Sequence, residues 1–255
     1  MGLFKIRKLL GGFYIQWKGD LDAKIKLAVN YQNIKVENSV GRFLDSPLSP
    51  ITSNNPIFNG QQFLNTEASY QFENSNHTTF STMGMKTEIQ LGYTSNIENS
   101  NAFGYLIPSI SFDYKLIPSG NLVLATKLKS HFTFGNSYEF YQAASIGGND
   151  GLRGYRNQRF TSKNSFYHSS DIRWNLTKFQ TGIAPLNFGI YGGFDYGKVW
   201  GHQNFTIQPT MTSREFNTSY GGGLFFDIAE MIAGNVTAFG SNDGIRFTFN
   251  LGFDF

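Results

Sequence analysis

Three arginines, Arg153, Arg156 and Arg159, recur at a spacing of three in a segment framed by Gly147, Gly148, Gly151 and Gly154. A guanidinium keeps its proton and presents five N–H donors in a fixed fork, so its chemistry is the pairing of oxyanions rather than proton transfer. The glycines permit tight turns and close approach of backbone to a neighbour. An ordered loop as long as residues 141 to 166 is usually functional. Acceptors stand further along the chain, where the alternation places Asp171 and Asp195 on the polar face of their strands. If the loop folds back against that face, Arg153 meets one of them in a charge-assisted, bidentate pair.

Other chemistries lack their residues. The glycine cluster is followed by no Lys-Ser/Thr pair and no helix, so it makes a poor phosphate loop. His77, His131, His168 and His202 lie far apart with no metal-ligand spacing, and there is no cysteine to bind a metal or form a disulfide. No Gly-x-Ser-x-Gly elbow exposes a nucleophile. We therefore assign no catalytic residue, no metal and no cofactor. The net charge of +3 comes from basic residues scattered along the chain, which gives no nucleic-acid footprint.

The elements that must position the loop are strands. The last eleven residues, Ile245 to Phe255, alternate apolar and polar without error, so Ile245, Phe247, Phe249, Leu251, Phe253 and Phe255 share one apolar face. The same period recurs at Phe13 to Lys18, Ile25 to Tyr31, Ala68 to Phe72, Met85 to Tyr93, Ile110 to Leu116 and Leu122 to His131. Beyond the loop it resumes at Asp171 to Leu176 and Leu186 to Asp195, then less cleanly at Ser219 to Ile228 and Met231 to Gly240. Charged residues sit on the opposite face each time, and Trp17, Tyr93, Tyr114, Trp174 and Trp200 lie near strand ends. Mean hydropathy is −0.28 and no apolar run nears the ~20 residues of a spanning helix, so a membrane reading requires a β-barrel. Eleven segments are countable, so the expected architecture is an all-β antiparallel transmembrane barrel of about twelve strands, with either one more strand in residues 2 to 10 or a miscounted segment. Ten strands, or the C-terminal part of a sixteen-stranded barrel, are the alternatives.

Gly147-Gly148 followed by Leu152-Arg153-Gly154-Tyr155 resembles the signature loop of the outer-membrane surface-antigen superfamily. That superfamily includes the barrel subunit of the BAM insertion machinery and the two-partner secretion transporters. Phe194-Asp195-Tyr196-Gly197-Lys198-Val199-Trp200 resembles its second barrel signature, carried here by Phe194, Asp195, Gly197 and Trp200. The resemblance implies that the loop precedes the last five strands, folds into the lumen, and brings its arginine to acidic residues on the two strands that follow. Asp171 stands where the family commonly has glutamate. Leu251, Phe253 and Phe255 resemble the C-terminal signal by which new barrels are recognised for assembly. The family's periplasmic POTRA domains have no counterpart in this sequence.

The resemblance implies a Gram-negative outer-membrane protein that assists insertion or translocation of proteins or lipids. Its expected partners are outer-membrane lipids, unfolded outer-membrane protein clients, the BAM machinery for its own insertion, and a second copy of itself. The alternative is a passive anchor or pore serving an enzymatic N-terminal domain. Residues 1–255 read as one barrel domain. The basic start Met1 to Leu10 lacks the apolar core and small-residue cleavage site of a signal peptide, so the expectation is the C-terminal part of a longer protein.

Overall fold

The computed structural model describes residues 5–19, 22–37, 58–76, 81–180, 185–201, 215–228 and 232–251. Eleven long strands form one antiparallel sheet: β1 (Lys5–Lys18), β2 (Ala23–Glu37), β3 (Gln61–Ser75), β4 (Gly84–Asn96), β5 (Ala102–Lys115), β6 (Leu122–Phe134), β9 (Asn164–Gln180), β10 (Pro185–Trp200), β11 (Asn217–Ile228), β12 (Ile232–Ser241) and β13 (Gly244–Leu251). They pair in chain order, with β6 joined to β9. The two short strands between these, β7 (Ala144–Ile146) and β8 (Phe160–Ser162), pair only with each other and stiffen the long loop.

Period-two alternation explains this wall. Along β9, Ile172 and Trp174 are each 53% exposed while Asp171 and Arg173, which alternate with them, are 1% and 4% exposed. Every one of the eleven strands carries exposed large apolar side chains. A continuous apolar skin of this kind is unstable against water and suits hydrocarbon. The polar side chains point the other way, toward the loop. That loop touches β3 near one end of the sheet order and β13 at the other, which requires the sheet to curl around it.

The strand sought in residues 2 to 10 is not a separate element. Residues 5 to 10 belong to β1, whose pairing with β2 runs unbroken through Gly11 and Gly12, and Lys5 and Arg7 both pair with Glu37 across the register. Among the described residues the main sheet has eleven strands, and the loop hairpin brings the total to thirteen, in keeping with an all-β antiparallel barrel of about twelve. β9 also begins at Asn164, earlier than the sequence pattern suggested, and the loop contains its own hairpin. Among the described residues β1 pairs only with β2, and β13 only with β12. No described helix is long and apolar enough to cross a membrane, which says nothing of crossing by strands. Trp17, Tyr93, Tyr114 and Trp174 are exposed, and Trp200 lies edge-on to Phe132 with ring centres 6.1 Å apart.

Candidate functional site: a loop anchored at two walls

The loop tip is shaped by its own backbone. Gly147 and Gly148 take positive φ values of 132° and 64°, and their N–H groups donate to the carbonyls of Asp150 (3.0 Å) and Leu152 (2.8 Å). This turn folds Leu152 and Tyr155 inward, where they bury against Ile146, Phe160, Tyr167 and Val199. Arg153, between them, is thereby aimed at the wall.

The wall is built to receive it. Register places Asp171, Gly193, Gly221 and Phe239 in one inward row across β9, β10, β11 and β12. The two glycines leave a trough bounded by a carboxylate on one side and a ring on the other. The Arg153 guanidinium lies in it, with Nη2 2.7 Å from Asp171 Oδ1, Nη1 3.0 Å from Asp171 Oδ2, and Nη2 2.6 Å from Asp195 Oδ1. Its carbon stands 4.1 Å from the centre of the Phe239 ring. The backbone N–H of Arg153 donates to Asp195 Oδ2 at 3.0 Å, and Ser219 Oγ donates to the same oxygen at 2.7 Å. Both aspartate side chains are fully buried. Burial alone would make the guanidinium easier to deprotonate, but Asp171 and then Asp195 outweigh it and hold its pKa above the ordinary arginine value.

Close approach is the reason for the glycines. A Cβ on Gly193 would stand 2.1 Å from Asp171 Oδ1 and 2.7 Å from Arg153 Nη2. One on Gly154 would stand 2.7 Å from the Gly240 carbonyl oxygen. Ser241 Oγ donates to the Gly154 carbonyl at 2.8 Å, so β12 also grips the backbone next to Arg153.

A second anchor holds the start of the loop. A single 3-10 turn, Phe140–Gln142, is capped by Glu139, whose N–H donates to Gln142 Oε1 at 2.9 Å. Tyr141 Oη donates to Gln61 Oε1 on β3 at 2.8 Å, and its ring meets Phe63 edge-on at 6.5 Å. Tyr138 packs edge-on against Phe103 on β5 at 5.9 Å. Burial, reinforced by the neighbouring Glu139, pushes the Tyr141 hydroxyl well above its ordinary pKa, so it stays a donor.

The remaining sequence candidates divide. Phe194 is exposed on the outer face, Asp195 points inward, and Gly197 lies where a Cβ would stand 2.8 Å from the Phe166 carbonyl oxygen. Arg159 pairs with Asp243 and lies over the Phe160 ring, whereas Arg156 is exposed. Leu251 is exposed on β13, while Phe253 and Phe255 lie outside the described residues, as do His77 and His202. His131 faces the lumen beside Tyr105, and His168 contacts the Thr126 and Ser170 hydroxyls. No group of described residues could hold a metal ion. Sequence reasoning missed Gly193, Ser219, Phe239, Ser241 and the Tyr141–Gln61 contact. It also missed Arg173, which is buried and pairs with Asp113 at 3.5 Å.

With this geometry in hand, known proteins give the context. The family described as haemolysin secretion/activation protein ShlB/FhaC/HecB matches residues 58–221. The fold is similar to the crystal structure of BamA from Haemophilus ducreyi lacking POTRA domains 1-3, at 16% identity and a TM-score of 0.69, covering 98% of this chain and 55% of that one. It is also similar to CdiB from Escherichia coli, at 13% identity and a TM-score of 0.66, covering 96% of this chain and 45% of that one. The chain thus spans about half the length of the structures it matches. No curated protein sequence matches it.

Proposed function

The chain belongs to the haemolysin secretion/activation protein family ShlB/FhaC/HecB, and from that premise we propose that it is the lumen-forming barrel through which a polypeptide crosses or enters the outer membrane. It is a Gram-negative outer-membrane protein of a transporting rather than enzymatic family. In this reading residues 1–255 act as one barrel unit, unfolded proteins are the clients, and lipids are the surrounding solvent. The loop from 135 to 163 is the stopper. The observation that carries the proposal is the clamp on Arg153, shared between Asp171 of β9 and Asp195 of β10, which fixes the loop inside the lumen. A clamp of one guanidinium and two carboxylates is rigid while closed and has no weakly held intermediate geometry, so it suits an element that must be either in place or displaced.

Planar-bilayer recording tests this. Wild-type protein is expected to give small conductance, and both Arg153→Ala and deletion of residues 147–156 are expected to raise it several-fold while impairing secretion by cells that carry them. Conductance and secretion unchanged in both variants would refute the stopper.

A further inference from the structure

A cavity of about 370 Å³ lies in the lumen between the loop tip and the last two strands. Its size is at the lower end of ligand sites, where roughly 300–1,000 Å³ is usual. Of its thirteen lining residues Lys127, Arg153 and Arg246 are cationic and none is acidic. The charge of Arg153 is met behind the cavity wall by Asp171 and Asp195. That of Arg246 is not: its guanidinium reaches only neutral oxygens, the Arg153 carbonyl at 3.3 Å and the side-chain oxygens of Asn149 and Asn157 at 3.4 and 3.5 Å. Among the described residues no carboxylate pairs with it. Asp150, on the loop, is taken by Lys129 at 3.0 Å and by the Tyr167 hydroxyl at 3.1 Å.

The floor of the cavity is a polar ladder. Asn235 and Thr237 of β12 face Asn250 and Thr248 of β13, with Asn250 Nδ2 donating to Asn235 Oδ1 at 3.1 Å and the two threonine hydroxyls 2.6 Å apart. Because Asn235 accepts in that bond, its own amide N–H groups remain available as donors. A cation without a counter-charge among the described residues, neutral donors beside it and a concave wall together favour an oxyanion.

We propose that this cavity binds a carboxylate, specifically an acidic side chain of an extended polypeptide in the lumen. The polypeptide part of this inference rests on the transport reading above, whereas the anion site itself does not. Arg246 supplies the charge, and the Asn235–Thr248 ladder supplies neutral donors.

The test is titration of the folded full chain in detergent micelles with three probes: hexaglutamate, hexaglutamine and inorganic phosphate. Hexaglutamate is expected to bind, with affinity falling as sodium chloride rises. Arg246→Gln and Asn250→Asp are each expected to weaken it tenfold or more. The second variant replaces the amide that donates to Asn235 with a carboxylate, which removes that bond and places a negative charge in the cavity, and thermal melting followed by circular dichroism establishes that each variant is folded. Equal binding of hexaglutamine, or binding unchanged in both folded variants, would overturn the site. Phosphate binding that is sensitive to both variants, with no binding of hexaglutamate, would overturn the polypeptide carboxylate and leave a small-anion site. Hexaglutamate binding as expected in a protein whose loop deletion leaves secretion and conductance unchanged would sink the transport reading alone.

Discussion

The two anchors of the loop use opposite physics. At β9 to β12 a single guanidinium meets two buried carboxylates, and nearly every donor and acceptor has a fixed partner. At β3 and β5 the hold comes from rings, Tyr138 and Tyr141 against Phe103 and Phe63, with one hydroxyl–amide bond to set direction. Charge pairs in a buried site lose most of their value once one partner is withdrawn, because the other is left unpaired. Aromatic contacts decline gradually with area and tolerate small shifts. The loop is therefore hinged by a tolerant contact at its beginning and latched by an intolerant one at its tip.

Arg153→Ala should break the latch most severely. It removes the guanidinium that pairs with both buried carboxylates, Asp171 and Asp195, which costs about 3–5 kcal/mol. Denaturant unfolding of the refolded barrel reads that loss, and hydrogen exchange should accelerate across 144–162 more than across 138–142. Equal acceleration of both segments would mean the anchors are not independent.

Gly193→Ala reaches the same latch from the wall. The added methyl would stand 2.1 Å from Asp171 Oδ1, so the pair must shift, at a cost of about 1–3 kcal/mol by the usual penalty for overpacking. Unfolding at the wild-type midpoint would show that the trough has slack. Arg153→Lys sharpens the point: the charge stays but the fork is lost, so stability should lie between wild type and Arg153→Ala. A lysine variant as stable as wild type would make charge, not bidentate geometry, the basis of the latch.

The smallest effect is expected at the hinge. Tyr141→Phe removes the hydroxyl bond to Gln61 and keeps the ring, for a loss of about 1 kcal/mol. Here exchange should rise in 138–142 and stay unchanged at 152–155.

The strands were open to sequence reading because each outer face must be apolar and each inner face need not be, a constraint that local alternation records. The alternation faded between Ser219 and Gly240 for a reason the structure supplies. Gly221, Phe225 and Phe239 occupy inward positions where other strands carry polar groups, because this stretch of wall forms the trough and its aromatic side. The inward direction of Asp171 and Asp195 could be taken from the period. That one guanidinium would reach both, backed by Ser219 and Phe239, depends on register across four strands, which no local pattern encodes. Gly193 was invisible for the same cause: its role is defined by a side chain forty residues earlier in the chain.

The eleven long strands among the described residues set the relative sense of the sheet's two described margins. In an antiparallel sheet with an odd number of members the first and last run in the same sense, so β1 and β13 point the same way. Joined directly they would form a parallel ladder, whose slanted hydrogen bonds are slightly less stable per residue than antiparallel ones. A single strand laid between them would instead be antiparallel to both at once. The described wall is thus matched in polarity to an inserted odd number of strands, whatever chain provides them.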